Sequence, residues 1–273
     1  MRRVLHDPTW PESWKTAHRY DELEIWNVTT DASRGHSIAY GVRMAKTLEL
    51  ISSVLPSDAR ILDIAAAQGN YSLRLAEQGY QVVWNDLRAE LEGYVRLKHE
   101  FGTIKFCPGN AFEIAQDEEF DCVLIAEIIE HVAHPDNFMK KVARLVKPGG
   151  FIVMSTPNGG YFLNNLPKFS ECENPEQYES IQFKPDGDGH IFLLHSDEIS
   201  ALGAKAGLRL EKHCLFTNPL TVGHIKLGLL LRFLPDPFVH YIEKASQFLP
   251  GSIARKIFAN SASRFQKDMI AIH

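Results

Sequence analysis

Cysteine is scarce and scattered in this chain of 273 residues: Cys107, Cys122, Cys172 and Cys214 lie far apart and no two form a CxxC pair. That spacing argues against a zinc ribbon and against a disulfide framework, and leaves isolated reduced thiols. An excess of basic charge is also missing. Lys and Arg number 29 against 34 Asp and Glu, a net charge of −5 at pH 7, so no global positive field neutralises a phosphate backbone and a nucleic-acid partner is disfavoured. Long hydrophobic runs are absent too. The longest near the C-terminus, Leu227-Gly228-Leu229-Leu230-Leu231, stops at Arg232, far short of the roughly 20 residues that span a membrane. Behind Arg2 and Arg3 no apolar stretch develops, since His6, Asp7 and Pro8 interrupt it; export is not expected, and a cytoplasmic location is.

What is present is ordinary globular material, 45% hydrophobic, consistent with one large domain carrying additions. From Arg60 onward, short aliphatic or β-branched runs alternate with longer helical patterns, the mark of βαβ units and a parallel sheet. They predict strands at Arg60–Ile64, Gln81–Trp84, Ile104–Cys107, Cys122–Ala126, Phe151–Ser155 and Arg209–Leu215, and a terminal strand at Lys267–Ile272. Helices are expected at Ser72–Gln78, Ala89–Glu100, Pro135–Val146 and Ser196–Ala206. Outside the alternation, residues 1–56 are rich in aromatics and contain an amphipathic stretch, His36–Val54; they read as a helical cap over the open sheet edge. Residues 216–262 read as a helical insert broken by Pro219, Pro235, Pro237 and Pro250, leaving 57–215 and 263–273 as the core.

After the first strand comes Asp63-Ile64-Ala65-Ala66-Ala67-Gln68-Gly69, a turn of small residues where an open α/β sheet places its ligand crevice. It is neither a dinucleotide GxGxxG nor a phosphate-binding GxxxxGK[ST] loop. Asp86 ends the second strand, placed to accept hydrogen bonds from a ribose diol, and Gly109-Asn110-Ala111 ends the third. This order, with the block FDCVLIAEIIEHV followed by LVKPGGFIVMSTPN, resembles the class I S-adenosylmethionine-dependent methyltransferases over roughly residues 34–215 and the last strand. The resemblance implies a doubly wound, Rossmann-like α/β fold with a seven-stranded, mostly parallel sheet, and S-adenosylmethionine as cofactor. It assigns Asp63 and the turn Ala65, Ala67 and Gly69 to the amino-acid end of the cofactor, Asp86 to the ribose, and Asn110 with Ala111 to the adenine. The family's turn is D-x-G-x-G-x-G, and here alanine replaces two glycines, a change tolerated where φ stays negative. Those alanines also keep open a catalytically silent cofactor-binding subunit.

At the end of the fourth strand stands Glu127-Ile128-Ile129-Glu130-His131. In a helical turn, spacings of three and four would put both carboxylates and the imidazole on one side, and His190 behind the turn Asp186-Gly187-Asp188-Gly189 could add a nitrogen. Glu127, Glu130, His131 and His190 form a candidate set for Mg2+ or Mn2+. The ExxEH block with a later DGHIF-like histidine is similar to the ubiquinone-biosynthesis O-methyltransferases and the small-RNA 3′-terminal 2′-O-methyltransferases. Both branches present neighbouring hydroxyls to a metal, which implies methyl transfer to a hydroxyl of a diol- or catechol-bearing small molecule or glycan. A metal-free N- or O-methyltransferase remains open, with Glu130 and His131 bracing the loop and His131 or His195 as base, as does methylation of an RNA 3′ end. His131, His190 and His195 are thus the candidate catalytic residues.

Tyr161 and Phe162 follow Thr156-Pro157-Asn158-Gly159-Gly160 and could line an acceptor slot, and the long loop 164–189 is expected to close over substrate and deliver His190. Between Val222 and Phe258 basic residues outnumber acidic ones by three, with Leu227, Leu230, Leu231, Leu234 and Phe238 near helical spacing. The insert fits either a peripheral membrane contact or packing as substrate cover or oligomer contact, with the oligomeric state left open.

Overall fold

The computed structural model of the chain describes residues 1–28, 30, 33–182, 189–224, 227–231 and 233–269. Seven strands among them make one sheet: β1 (Arg60–Ile64), β2 (Gln81–Trp84), β3 (Thr103–Phe106), β4 (Phe120–Ala126), β5 (Val146–Pro157), β6 (Leu208–Phe216) and β7 (Asn260–Lys267). Their order is β3-β2-β1-β4-β5-β7-β6. The first five run parallel, and β7 is antiparallel to both β5 and β6. β1 and β4 pair directly although β2 and β3 lie between them in sequence, so the crossover there opens a crevice at the strands' carboxyl ends.

The helices are α1 (Glu12–Glu24), α2 (Arg34–Ser52), α3 (Asn70–Glu77), α4 (Leu91–Lys98), α5 (Ala111–Ile114), α6 (Pro135–Leu145), α7 (Ser196–Lys205), α8 (Gly228–Leu231), α9 (Asp236–Ser246) and α10 (Gly251–Ile257). They cover both faces, so the central strands are buried on two sides. Along β4, Cys122 and Leu124 enter a core with Leu50, Ile51, Leu75 and Val153, while Val123 and Ile125 enter another with Phe138, Val142, Ile152 and Leu202. That alternation is the period-two pleat read twice. The doubly wound α/β fold expected from the sequence is the observed one.

Three expectations change. The final strand lies at Asn260–Lys267, not Lys267–Ile272, and residues 270–273 fall outside the described residues. Its buried positions include Ser261, Ala262 and Ser263, small residues admitted between close layers because Ser261 donates to the Thr156 carbonyl and Ser263 bonds His213. A search for apolar runs passes over such a strand. Consequently the chain between β6 and β7 is 217–259, with 216 and 260–262 inside the sheet. The N-terminal segment also does more than cap an edge: Leu50 and Ile51 of α2 are fully buried on a sheet face with Ile61, Val153 and Ala262. α1 is pinned beside it by a buried network in which Lys98 donates to Asp21 at 2.6 Å and Asn70 at 2.7 Å, and Tyr94 donates to Asp21 at 2.7 Å.

Candidate functional site

The turn after β1 is built on left-handed backbone. Ala65, Ala67 and Gly69 have φ of 52°, 48° and 74°, so the two alanines do not keep negative φ as the sequence reading required. Hydrogen bonds hold the turn in this conformation despite their Cβ atoms: Gly69 donates to the Ala66 carbonyl, Ala66 to the Asn85 carbonyl and Ala67 to the Asp86 carboxylate. Asp63 is buried beneath it and accepts a 2.6 Å bond from Ser72 on α3. Burial pushes its carboxyl up to about 7, against the pull of the Ser72 bond.

Asp86 follows the end of β2 by two residues and is likewise buried. Besides Ala67 it accepts from the Arg88 backbone and from the Arg88 guanidinium at 3.0 Å. Asn110 N-caps α5, its amide oxygen accepting from Phe112 and its NH2 donating to Glu113. Both Asn110 and Ala111 line a cleft of about 360 Å3, with Ala65, Asn85, Leu87 and Phe138. Asn85, which the sequence reading did not single out, ties the ends of β2 and β3 by donating to the carbonyls of Cys107 at 2.7 Å and Gly109 at 2.9 Å. Of the residues proposed for the cofactor, Ala65, Asn110 and Ala111 line this crevice at the topological switch beside β1, and Ala67, Gly69, Asp63 and Asp86 belong to the hydrogen-bonded turn that contains Ala65 or support it.

After β4 the chain departs from a helical turn. Glu127 takes φ of 56° and only Ile129–His131 form a short 3-10 helix. The positive φ turns Glu127 away from the expected set, and its carboxylate accepts from Arg43 at 2.7 Å and Ser155 at 2.9 Å. Glu130, His131 and His190 do come together: one ligand atom from each lies within 4.8 Å of the others. Glu130 is fully buried, accepts from Thr156 through Oε2, and leaves Oε1 buried without a hydrogen-bond partner. Burial and the nearby Glu127 charge push its carboxyl well above the usual carboxylate range. The His131 Nδ1 is 3.0 Å from the Gly189 carbonyl, and its ring meets that of His190 edge to face at 4.8 Å.

The loop after β5 delivers His190 as expected. Ile191 donates to the Glu130 carbonyl, and Phe169, Tyr178 and Ile181 pack around Phe192; residues 183–188, including Asp186, Gly187 and Asp188, lie outside the described residues. His195 stands apart at the N-cap of α7, where its backbone donates to Glu198. Beside His190 opens a second cleft of about 740 Å3, bordered by Tyr40, Arg43, Glu127, Tyr161 and His224. Tyr161 reaches His224 at 2.8 Å, and burial pushes its phenol up to about 12. Arg43 gave no sequence signal, since its partner is 84 residues away. Burial is the largest single influence and opposes its charge, but Glu127, Tyr71, Tyr40 and Glu24 together raise it above its usual range, and its Nε remains buried without a hydrogen-bond partner.

A family model described as a methyltransferase domain matches residues 37–213. The chain is 32% identical over 171 residues to a ubiquinone biosynthesis O-methyltransferase of Xanthomonas axonopodis pv. citri, covering 60% of this chain and 69% of that protein. It is 37% identical over 178 residues to the protein of that name in Cereibacter sphaeroides, covering 63% and 69%. Among solved structures, an S-adenosylmethionine-dependent methyltransferase from Mesorhizobium loti superimposes with a TM-score of 0.53 at 13% identity, over 80% of this chain and 95% of the other, a likeness of fold. With the crevice at the switch point and the match over most of the core, the chain belongs to the methyltransferase-domain family and is an S-adenosylmethionine-dependent methyltransferase.

Proposed function

We propose that the protein transfers the methyl group of S-adenosylmethionine to a hydroxyl of a small molecule or glycan with two neighbouring hydroxyls, assisted by a divalent cation held by Glu130, His131 and His190. The observation that carries this reading is the buried, unpartnered Glu130 Oε1 beside two imidazoles. The carboxylate and the acceptor's own oxygens suit Mg2+ or Mn2+, the two imidazoles making Mn2+ the better match of the two, and a positive charge there would offset the cost of burying the carboxylate. Such a cation lowers the pKa of a chelated hydroxyl and fixes its position. The O-methyltransferase names of the relatives support oxygen as the acceptor atom.

The chain's own residues then have separate tasks. The 65–69 turn and Asp86 hold the cofactor with its methyl toward the second cleft, and the guanidinium of Arg43, which borders that cleft, is a donor for the methionine carboxylate. A bond from His131 Nδ1–H to the Gly189 carbonyl leaves the lone pair on Nε2. In the transfer, the acceptor oxygen bonds the methyl carbon as the carbon–sulfur bond breaks to give S-adenosylhomocysteine, and the hydroxyl proton passes to solvent water. The same tautomer favours one second reading, in which His131 Nε2 takes that proton without a metal.

The two separate in one assay: methyl transfer to a catechol before and after EDTA, with Mn2+ restored. Loss on chelation and recovery on addition support the cation; activity indifferent to EDTA but abolished in His131→Ala supports the base.

A further inference from the structure

The buried Asp21–Lys98 network outside the crevice is internally satisfied, whereas the segment between β6 and β7 shows an unpartnered apolar face. α9 is apolar on both sides. Its inner side buries Val239, with Ile242 half-buried, while Phe238, Tyr241 and Ala245 repeat at spacings of three and four on the outer side and are exposed. Phe248, 91% exposed, prolongs this outer stripe, and Leu249 and Ile253 continue it onto α10. One-sided exposure of aromatics on a helix already folded against its domain marks a contact surface rather than a core.

Charge says what covers it. Neither of the segment's two acids is a free surface charge: Asp236 is exposed but paired with Arg34, and Glu243 is buried, accepting from Thr217 at 2.7 Å, Asn218 at 3.1 Å and Thr221 at 2.7 Å. Its described bases, Lys244, Arg255 and Lys256, are exposed and none is in an ion pair among the described residues. In a chain of net charge −5 this segment thus combines exposed bases with exposed aromatic rings, the pairing that favours an anionic bilayer surface. No helix among the described residues is long and apolar enough to cross a membrane, so the contact is interfacial.

The patch adjoins the acceptor cleft. Phe162 donates to the Lys256 carbonyl and Asn158 to the Arg255 carbonyl; Phe162 is half exposed, and its neighbour Leu163, also half exposed, lines the cleft. We infer that the outer face of α9 and α10 docks on an anionic lipid surface, setting the mouth of the acceptor cleft at the bilayer interface. This inference does not depend on which atom is methylated.

Vesicle flotation tests it, using the full chain with phosphatidylcholine vesicles and with vesicles containing phosphatidylglycerol. The expected result is flotation with the anionic vesicles alone, suppressed by 0.5 M salt. Reversal of the bases (Lys244→Glu, Arg255→Glu, Lys256→Glu) should weaken binding on the order of a hundredfold, at about a fivefold change per basic residue. Phe238→Ser, Tyr241→Ser and Phe248→Ser together should abolish it. Both variants should keep their affinity for S-adenosylhomocysteine. Hydrogen exchange of the unmodified protein on anionic vesicles should show protection confined to 236–257. Failure to float with anionic vesicles, flotation indifferent to both variants, or protection elsewhere overturns the inference. So does a dimer that dissociates in the serine variant without vesicle binding, which would assign the face to a second copy.

Discussion

Arg43 of α2 and Glu127 after β4 face each other at 2.7 Å across the joint between the N-terminal helices and the sheet. The pair fixes the role of Glu127, which balances a largely buried guanidinium instead of joining Glu130 and the two histidines. Glu127→Gln should cost about 2 kcal/mol, short of the full burial penalty because part of each side chain still meets solvent. Cation affinity by Mn2+ calorimetry should stay within about threefold of the parent, whereas Glu130→Gln should lose more than roughly tenfold. Equal losses in the two variants would return Glu127 to the ligand set.

The turn after β1 should respond oppositely at neighbouring positions. Ala65→Gly and Ala67→Gly relieve left-handed backbone and should each stabilise by about 0.5–1 kcal/mol, net of the added freedom of the unfolded chain. Gly69→Ala should destabilise, since its new Cβ would lie 2.7 Å from Val95 Cγ1 at a φ of 74°. Urea denaturation of the three variants measures both signs.

Asp63 should make stability fall as pH rises. Its carboxyl titrates near 7 in the fold but near 3.9 when unfolded. Between those values the native state holds a proton that the unfolded state has released, so folding weakens from pH 4 to 7 and then levels off. Between pH 5 and 8, Asp63→Asn should gain about 3 kcal/mol relative to the parent. Parallel pH profiles for variant and parent would refute this assignment.

The Asp21–Lys98 bond predicts non-additivity. Both side chains are buried, so Lys98→Met leaves an uncompensated acid and should cost about 3–5 kcal/mol. Adding Asp21→Asn should restore much of that loss, which a double-mutant cycle in guanidinium chloride reads directly.

Much of the core was legible because its signals are local. β1 and β2 match the runs Arg60–Ile64 and Gln81–Trp84 residue for residue, since strands buried on both faces are continuous apolar runs. β7 was not, because its buried Ser261, Ala262 and Ser263 owe their place to close packing and to hydroxyl partners far off in sequence. α1 was missed for a related reason: it is largely polar, and its one decisive acid, Asp21, acquires meaning only from Lys98 and Tyr94.

For the site, the sequence by itself determined the order of strands and turns, and with it the crevice at the β1–β4 switch, because connectivity and hydrophobic period are properties of the chain. It also determined which residue types stand there: Asn110 lines the first cleft and His190 the second, Asp63 and Asp86 are buried at the β1 turn, and Glu130 and His131 meet His190. Only the tertiary structure decided their partners. The positive φ at Glu127 sent it to Arg43, 84 residues away, while the loop after β5 brought His190 to His131 and left His195 capping α7. Backbone torsion and long-range packing set where a side chain points, and neither is written in residue spacing.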